Sequence, residues 1–103
     1  MAIICVKLEN ERHATLKQTG NLYVLERIFG EALKTGGFRW LEQIDPYGDT
    51  VLNRVQIASF LEEWQQLARY VQSDAETFAL EEVRSLAEEC AAQPHRYLRF
   101  FGD

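Results

Sequence analysis

The sequence predicts an α+β domain: a small mixed or antiparallel sheet of three to five strands, with a helical pair and one further helix packed on it. Three observations carry that prediction. Short β-branched or alternating apolar runs lie near both ends of the chain, apolar residues recur at helical spacing in three segments between them, and two serine-led capping signatures stand close together late in the sequence. The predicted order is β(β)αββααβ, with residues 1–103 forming one domain.

Residues 2–8, AIICVKL, are β-branched and apolar and read as a strand; ENE follows as a turn and RHATLKQ alternates as a return strand. From Asn21 onward Leu22, Leu25, Phe29 and Leu33 recur at helical spacing, and Gly36 and Gly37 behind Lys34 form a C-terminal stop. Gly30 is the weak helix former within that segment. FRWLEQI, residues 38–44, sets Phe38, Trp40 and Ile44 on alternate positions and reads as a strand with one buried face. TVLNRV, residues 50–55, is a second extended segment.

Ser59 and Glu62 then match a capping box, opening a helix with Phe60, Leu61, Trp64, Leu67, Ala68 and Val71 on one stripe. Ser73 and Glu76 repeat the signature. Ala79, Val83, Leu86, Ala87 and Cys90 continue it as a second amphipathic helix, which Pro94 ends. In the closing HRYLRFF, Arg96, Leu98 and Phe100 alternate with Tyr97, Arg99 and Phe101, as a terminal strand requires.

A chain of 103 residues that is 47% hydrophobic and 12% aromatic builds one core. At this size folding buries roughly 60 to 70% of the unfolded surface, so neither a disulfide nor a metal is required. Cys5 and Cys90 stand far apart on apolar stretches and read as buried reduced thiols. MAIICVKLENERH lacks the basic front and long apolar core of a signal peptide, and no run approaches the ~18 apolar residues of a membrane span. The expectation is a soluble cytoplasmic protein.

The net charge of -5 is unevenly placed. Between residues 59 and 92, Glu62, Glu63, Asp74, Glu76, Glu81, Glu82, Glu88 and Glu89 face only Arg69 and Arg84. Such a segment repels phosphate backbones and anionic lipid, so no nucleic-acid or membrane partner is expected there.

Residues 44–54, IDPYGDTVLNR, pack polar side chains of specific geometry between two apolar runs. Asp45, Pro46, Tyr47 and Gly48 suit a type I turn position by position and are expected to close a hairpin. Asp49, Thr50, Asn53 and Arg54 are left over. In a strand Asn53 projects with Val51 and Val55, on the more apolar side, and a buried Asn or Arg needs a partner such as Asp45, Asp49 or Asp103. Asp103 is expected to be ordered, its carboxylates serving Arg54 or another hairpin donor, with Gly102 letting the backbone turn toward it. The candidate polar cluster is therefore Asp45, Tyr47, Asp49, Asn53, Arg54, His95 and Asp103. It reads either as a network pinning the hairpin or as a small-ligand or enzymatic site.

A calcium loop is rejected because Tyr47 occupies the third ligand position, Gly48 is misplaced and Gln56 stands where a bidentate glutamate is required. No phosphate loop, nucleophile elbow or spaced Cys/His pair is present, and no cofactor or metal is expected. His13 lies in a polar stretch and reads as a surface residue; His95 follows Pro94, with no nucleophile that the sequence can name.

The segments DPYGDTV-x-NR-x-Q (Asp45 to Val51, Asn53, Arg54, Gln56) and H-x-YL-x-F-x-GD (His95, Tyr97, Leu98, Phe100, Gly102, Asp103) resemble those of a group of small bacterial proteins. The likeness covers the second half of the chain and hardly the first. It implies a bacterial cytoplasmic origin and no activity, and it couples the mid-chain and C-terminal segments.

The expected function is that of a non-enzymatic protein-binding module, an immunity-type inhibitor of a basic bacterial toxin being one form. Its binding face would be Glu62, Glu63, Glu81, Glu82, Glu88 and Glu89. Acidic inhibitors steer onto basic active sites through such faces. The alternative is the polar-cluster site. A solvated helix face is the plain reading of the same charges.

Overall fold

The two strands furthest apart in sequence meet at the centre of the sheet. In a computed structural model, which describes residues 3–102, the strands are β1 (Ile3–Asn10), β2 (Thr15–Gln18), β3 (Asp49–Asn53) and β4 (Arg96–Gly102). They form one antiparallel sheet in the order β2-β1-β4-β3. The helices are α1 (Glu26–Thr35), α2 (Arg39–Gln43), α3 (Arg54–Gln65) and α4 (Asp74–Ala92), with 3-10 turns at Tyr23–Leu25 and Gln66–Tyr70. The fold is a small α+β fold with a four-stranded antiparallel sheet.

Strand alternation decides which side the helices cover. Val6, Leu8, Leu52, Leu98 and Phe100 point into the core, whereas Cys5, Lys7, Val51, Tyr97, Arg99 and Phe101 point to the open side. Phe100 meets Phe60 of α3 edge-on at 5.4 Å, Phe60 stacks on Trp64 at 5.3 Å, and Trp64 reaches Phe29 of α1 at 5.9 Å. An aromatic row thus runs from β4 through α3 to α1. The Trp64 indole N–H donates to the Leu80 carbonyl at 3.0 Å, so this buried polar atom is satisfied.

The first hairpin, the glycine-terminated α1, α4 behind its Ser73 cap and the terminal strand form as the sequence predicts. Gly36 and Gly37 take φ of 85° and 88°, the left-handed turn that ends α1. Ser73 caps α4, its hydroxyl accepting from the Glu76 N–H at 3.2 Å. The Glu76 carboxylate goes elsewhere, accepting from the Gln72 N–H at 2.8 Å and from Arg27 at 2.8 Å.

Several local expectations are corrected. FRWLEQI is not a strand. Its buried residues are Phe38, Leu41 and Ile44, three apart, and residues 39–43 are helix α2. The Trp40 and Leu41 N–H groups that open this helix donate to the Glu63 carboxylate of α3 at 3.0 Å, a cap supplied from a distant part of the chain. The turn at Asp45 to Gly48 consequently joins a helix to β3 and closes no hairpin.

Nor does α3 begin at Ser59. Asn53 and Gln56 form the reciprocal capping box, each side-chain oxygen accepting the other's backbone N–H, at 3.1 and 2.8 Å. The helix therefore starts at Arg54, while Ser59 lies inside it and accepts from the Trp40 indole at 2.9 Å. Asn53 is accordingly exposed, and the buried side of β3 belongs to Leu52.

Candidate functional site

The polar stretch of residues 45–54 divides between the two ends of β3. At the first end the Asp45 carboxylate accepts from the Tyr47 N–H at 2.9 Å, which makes the turn an Asx turn, and the Thr50 hydroxyl accepts from the Asp45 N–H at 2.8 Å. Tyr47 is 86% exposed. β4 closes against this turn, the Gly102 N–H donating to the Gly48 carbonyl at 2.7 Å. A Cβ on Gly102 would stand 2.5 Å from the Asp45 carbonyl oxygen and 2.6 Å from the Pro46 carbonyl carbon. Gly102 is needed for close approach rather than for turning freedom.

At the other end Asn53 caps α3 and the Arg54 guanidinium donates to the Ala91 carbonyl at 3.1 Å, near the end of α4. Asn53 is paired in register with Tyr97, so the exposed His95, with φ of 59°, lies at this end too. A five-residue strand puts about 13 Å of backbone between the groups. Asp45, Tyr47 and Asp49 are therefore not brought together with Asn53, Arg54 and His95. Neither Asn53 nor Arg54 is a buried group partnered by Asp45 or Asp49. Asp103 lies outside the described residues.

A polar network does form on the open side of the sheet, but mostly from other residues. Arg99 at the centre of β4 donates through Nε to Glu9 Oε1 at 2.9 Å and through Nη1 to Asp49 Oδ2 at 3.3 Å. His13 Nδ1 is 3.4 Å from Arg99 Nη2 and 3.7 Å from Glu9 Oε1, and its ring lies 6.5 Å from that of Tyr97. Glu9 is only 4% exposed, although it lies on the open side of the sheet. The Glu9 hydrogen bond raises the Arg99 pKa above its ordinary value, against partial burial, with the charges of Glu9 and Asp49 adding to it. Arg99 is thus fixed as a cation between two carboxylates, with the His13 ring beside it. The arrangement welds three strands together. β4 alternation already turned Arg99 away from Leu98 and Phe100; the β1–β4 pairing was the missing information.

The acidic segment resolves into structural and surface carboxylates. Glu63 is spent on capping α2. Glu76 is buried. Its burial would raise its pKa, but the Gln72 N–H, Arg27 and Ser73 outweigh that effect and lower it. Glu62 remains exposed on α3. Along α4, Asp74, Phe78, Glu81, Ser85 and Glu88 recur at spacings of three and four and face outward. Arg84 lies between Glu81 and Glu88, Lys17 pairs with Glu89 at 2.6 Å, and Glu82 accepts from the Gly20 N–H at 3.4 Å. Asp74 and Glu82 meet no cation among the described residues.

Two grooves flank this ridge and share Glu81 and Arg84 as their wall. One, of about 690 Å³, lies between β2 and α4 and includes Lys17, Thr19, Phe78, Glu82 and Leu86. The other, of about 550 Å³, is floored by Trp64, Ala68, Val71 and Leu80. Among the described residues no group of three or more His, Cys, Asp or Glu could hold a metal ion, and no helix is long and apolar enough to cross a membrane. Both cysteines are free; burial pushes the Cys90 thiol up to about 11.

No protein-family model matches this chain, and neither the curated proteins nor the solved structures give a significant match. The likeness drawn on the two second-half segments consequently has no matching family behind it, and function rests on the geometry alone.

Proposed function

We propose that the protein is a non-enzymatic binding module of a bacterial cytoplasm whose outer α4 face docks a basic protein. An immunity-type inhibitor of a basic toxin is the specific form of this reading. The observation that carries it is the outward row of Asp74, Glu81 and Glu88 with Glu82 beside it, where Arg84 offsets only part of the charge. A field of this sign accelerates encounter with a cationic surface and discriminates against anionic partners. Of the six carboxylates expected on the face, Glu81, Glu82 and Glu88 form its centre, Glu89 is tied to Lys17, Glu62 lies on the neighbouring helix, and Glu63 is withdrawn.

The members of the polar cluster that the structure describes sit at opposite ends of β3, and that separation favours the α4 reading over a ligand site at the cluster. The test is affinity capture from a bacterial lysate, comparing the wild-type chain with a Glu81→Gln/Glu82→Gln/Glu88→Gln variant at low and then moderate salt. The expected result is a basic protein retained by the wild type at low salt, weakened as salt screens the contact and lost with the variant. Identical captures by both chains, or none by either, would overturn the proposal.

A further inference from the structure

Phe78 is 67% exposed in the middle of an otherwise polar helix face. The core does not require it, since Ala79, Leu80 and Val83 supply the inward side of that part of α4. Nor is it isolated. The Gly20–Glu82 and Arg27–Glu76 hydrogen bonds hold the intervening 3-10 turn alongside the same part of α4, and in that turn Tyr23 and Val24 are each 40% exposed. Asp74, Glu81 and Glu82 lie within about one helical turn of Phe78 on the same side of α4. Exposed aromatic groups ringed by charge are a recurrent form of protein docking surface.

We infer that Phe78 is the apolar anchor of this face, and that the partner presents an amphipathic basic helix whose apolar stripe receives it. The inference rests on the reading of α4 as a docking face and narrows the kind of partner it takes. Charge complementarity selects the occupant, since lysine or arginine flanking an apolar stripe meets Glu81, Glu82 and Glu88, whereas an acidic or nucleic-acid ligand is repelled. Geometry selects its shape. From Asp74 to Glu88 the outward row runs about 21 Å, the length of four turns of helix, and grooves flank it on both sides.

The test uses two synthetic probes of equal charge, an amphipathic lysine–leucine helix and an oligolysine, titrated against the intact chain at low salt. The wild type is expected to bind the amphipathic helix more tightly. Phe78→Ala is expected to weaken that probe by about tenfold while leaving oligolysine binding and the melting temperature unchanged, and Phe78→Leu to retain most of the affinity. The Glu81→Gln/Glu82→Gln/Glu88→Gln variant is expected to weaken both probes. If Phe78→Ala leaves the amphipathic probe unaffected while the charge variant weakens both, the anchor is refuted and the basic-partner reading stands. If neither probe binds, or the charge variant changes nothing, the docking face itself is refuted.

Discussion

The polar segment of residues 45–54 and the Arg99 network lie on neighbouring strands, yet they spend their side chains in opposite ways. In the segment Asp45, Thr50 and Asn53, with Gln56 just beyond it, bind backbone groups within five residues, making a turn and a helix cap. In the network Arg99 reaches Glu9 and Asp49, respectively 90 and 50 residues away in sequence. Dense local polarity thus marks punctuation, because short polar side chains compete best for nearby N–H groups. Of the residues that tie the strands together, Glu9 and Arg99 stand singly in the chain and give no such signal, and Asp49 belongs to the dense segment.

The sharpest way to break this comparison is Arg99→Met. It leaves the nearly buried Glu9 carboxylate without its main partner and is expected to cost about 3 kcal/mol, while a Glu9→Gln/Arg99→Met double variant recovers part of the loss. Chemical denaturation of the four chains of this cycle gives the coupling directly; additive losses would show that Glu9 and Arg99 act independently.

Gly102→Ala comes next. Its Cβ would press into the Asp45 and Pro46 backbone, so a loss of about 2 kcal/mol is expected, lowering the melting temperature by roughly 8 to 16 °C. An unchanged melt would mean that the turn and β4 separate at little cost.

The smallest effect is expected at the residue the sequence made most conspicuous. Asn53→Ala removes one helix cap and should cost about 1 kcal/mol, with Asn53→Asp close to wild type. A loss as large as that of Arg99→Met would show that Asn53 holds more than the start of α3.

Much of the fold was legible because its periodicities are local. Leu98 and Phe100 alternate with Arg99 and Phe101 and do become the two sides of a central strand, and Ser73 does start α4. FRWLEQI was misread because a single turn of helix with Phe38, Leu41 and Ile44 inward also places Phe38 and Trp40 on alternate positions. The arbiter was Glu63 at the helix start, which only the tertiary fold brings there. The site was legible in the same measure. The acidic helix was visible as composition, whereas Glu63 and Glu76 left the surface through contacts with distant Trp40 and Arg27. Of the polar-cluster residues the structure describes, only Asp49 joined the network that formed.

The antiparallel pairing of β1 with β4 also sets a schedule for biosynthesis. At roughly 5 to 20 residues per second, β1 waits on the order of 5 to 20 s after translation before its central partner exists, longer than it waits for β2 and every helix. Through that interval the apolar side of β1 and the inner faces of α3 and α4 lack the strand that joins them. Ribosome-stalled chains ending before Arg96 should remain sensitive to protease along their whole length, and release of β4 should convert them to resistance in a single step.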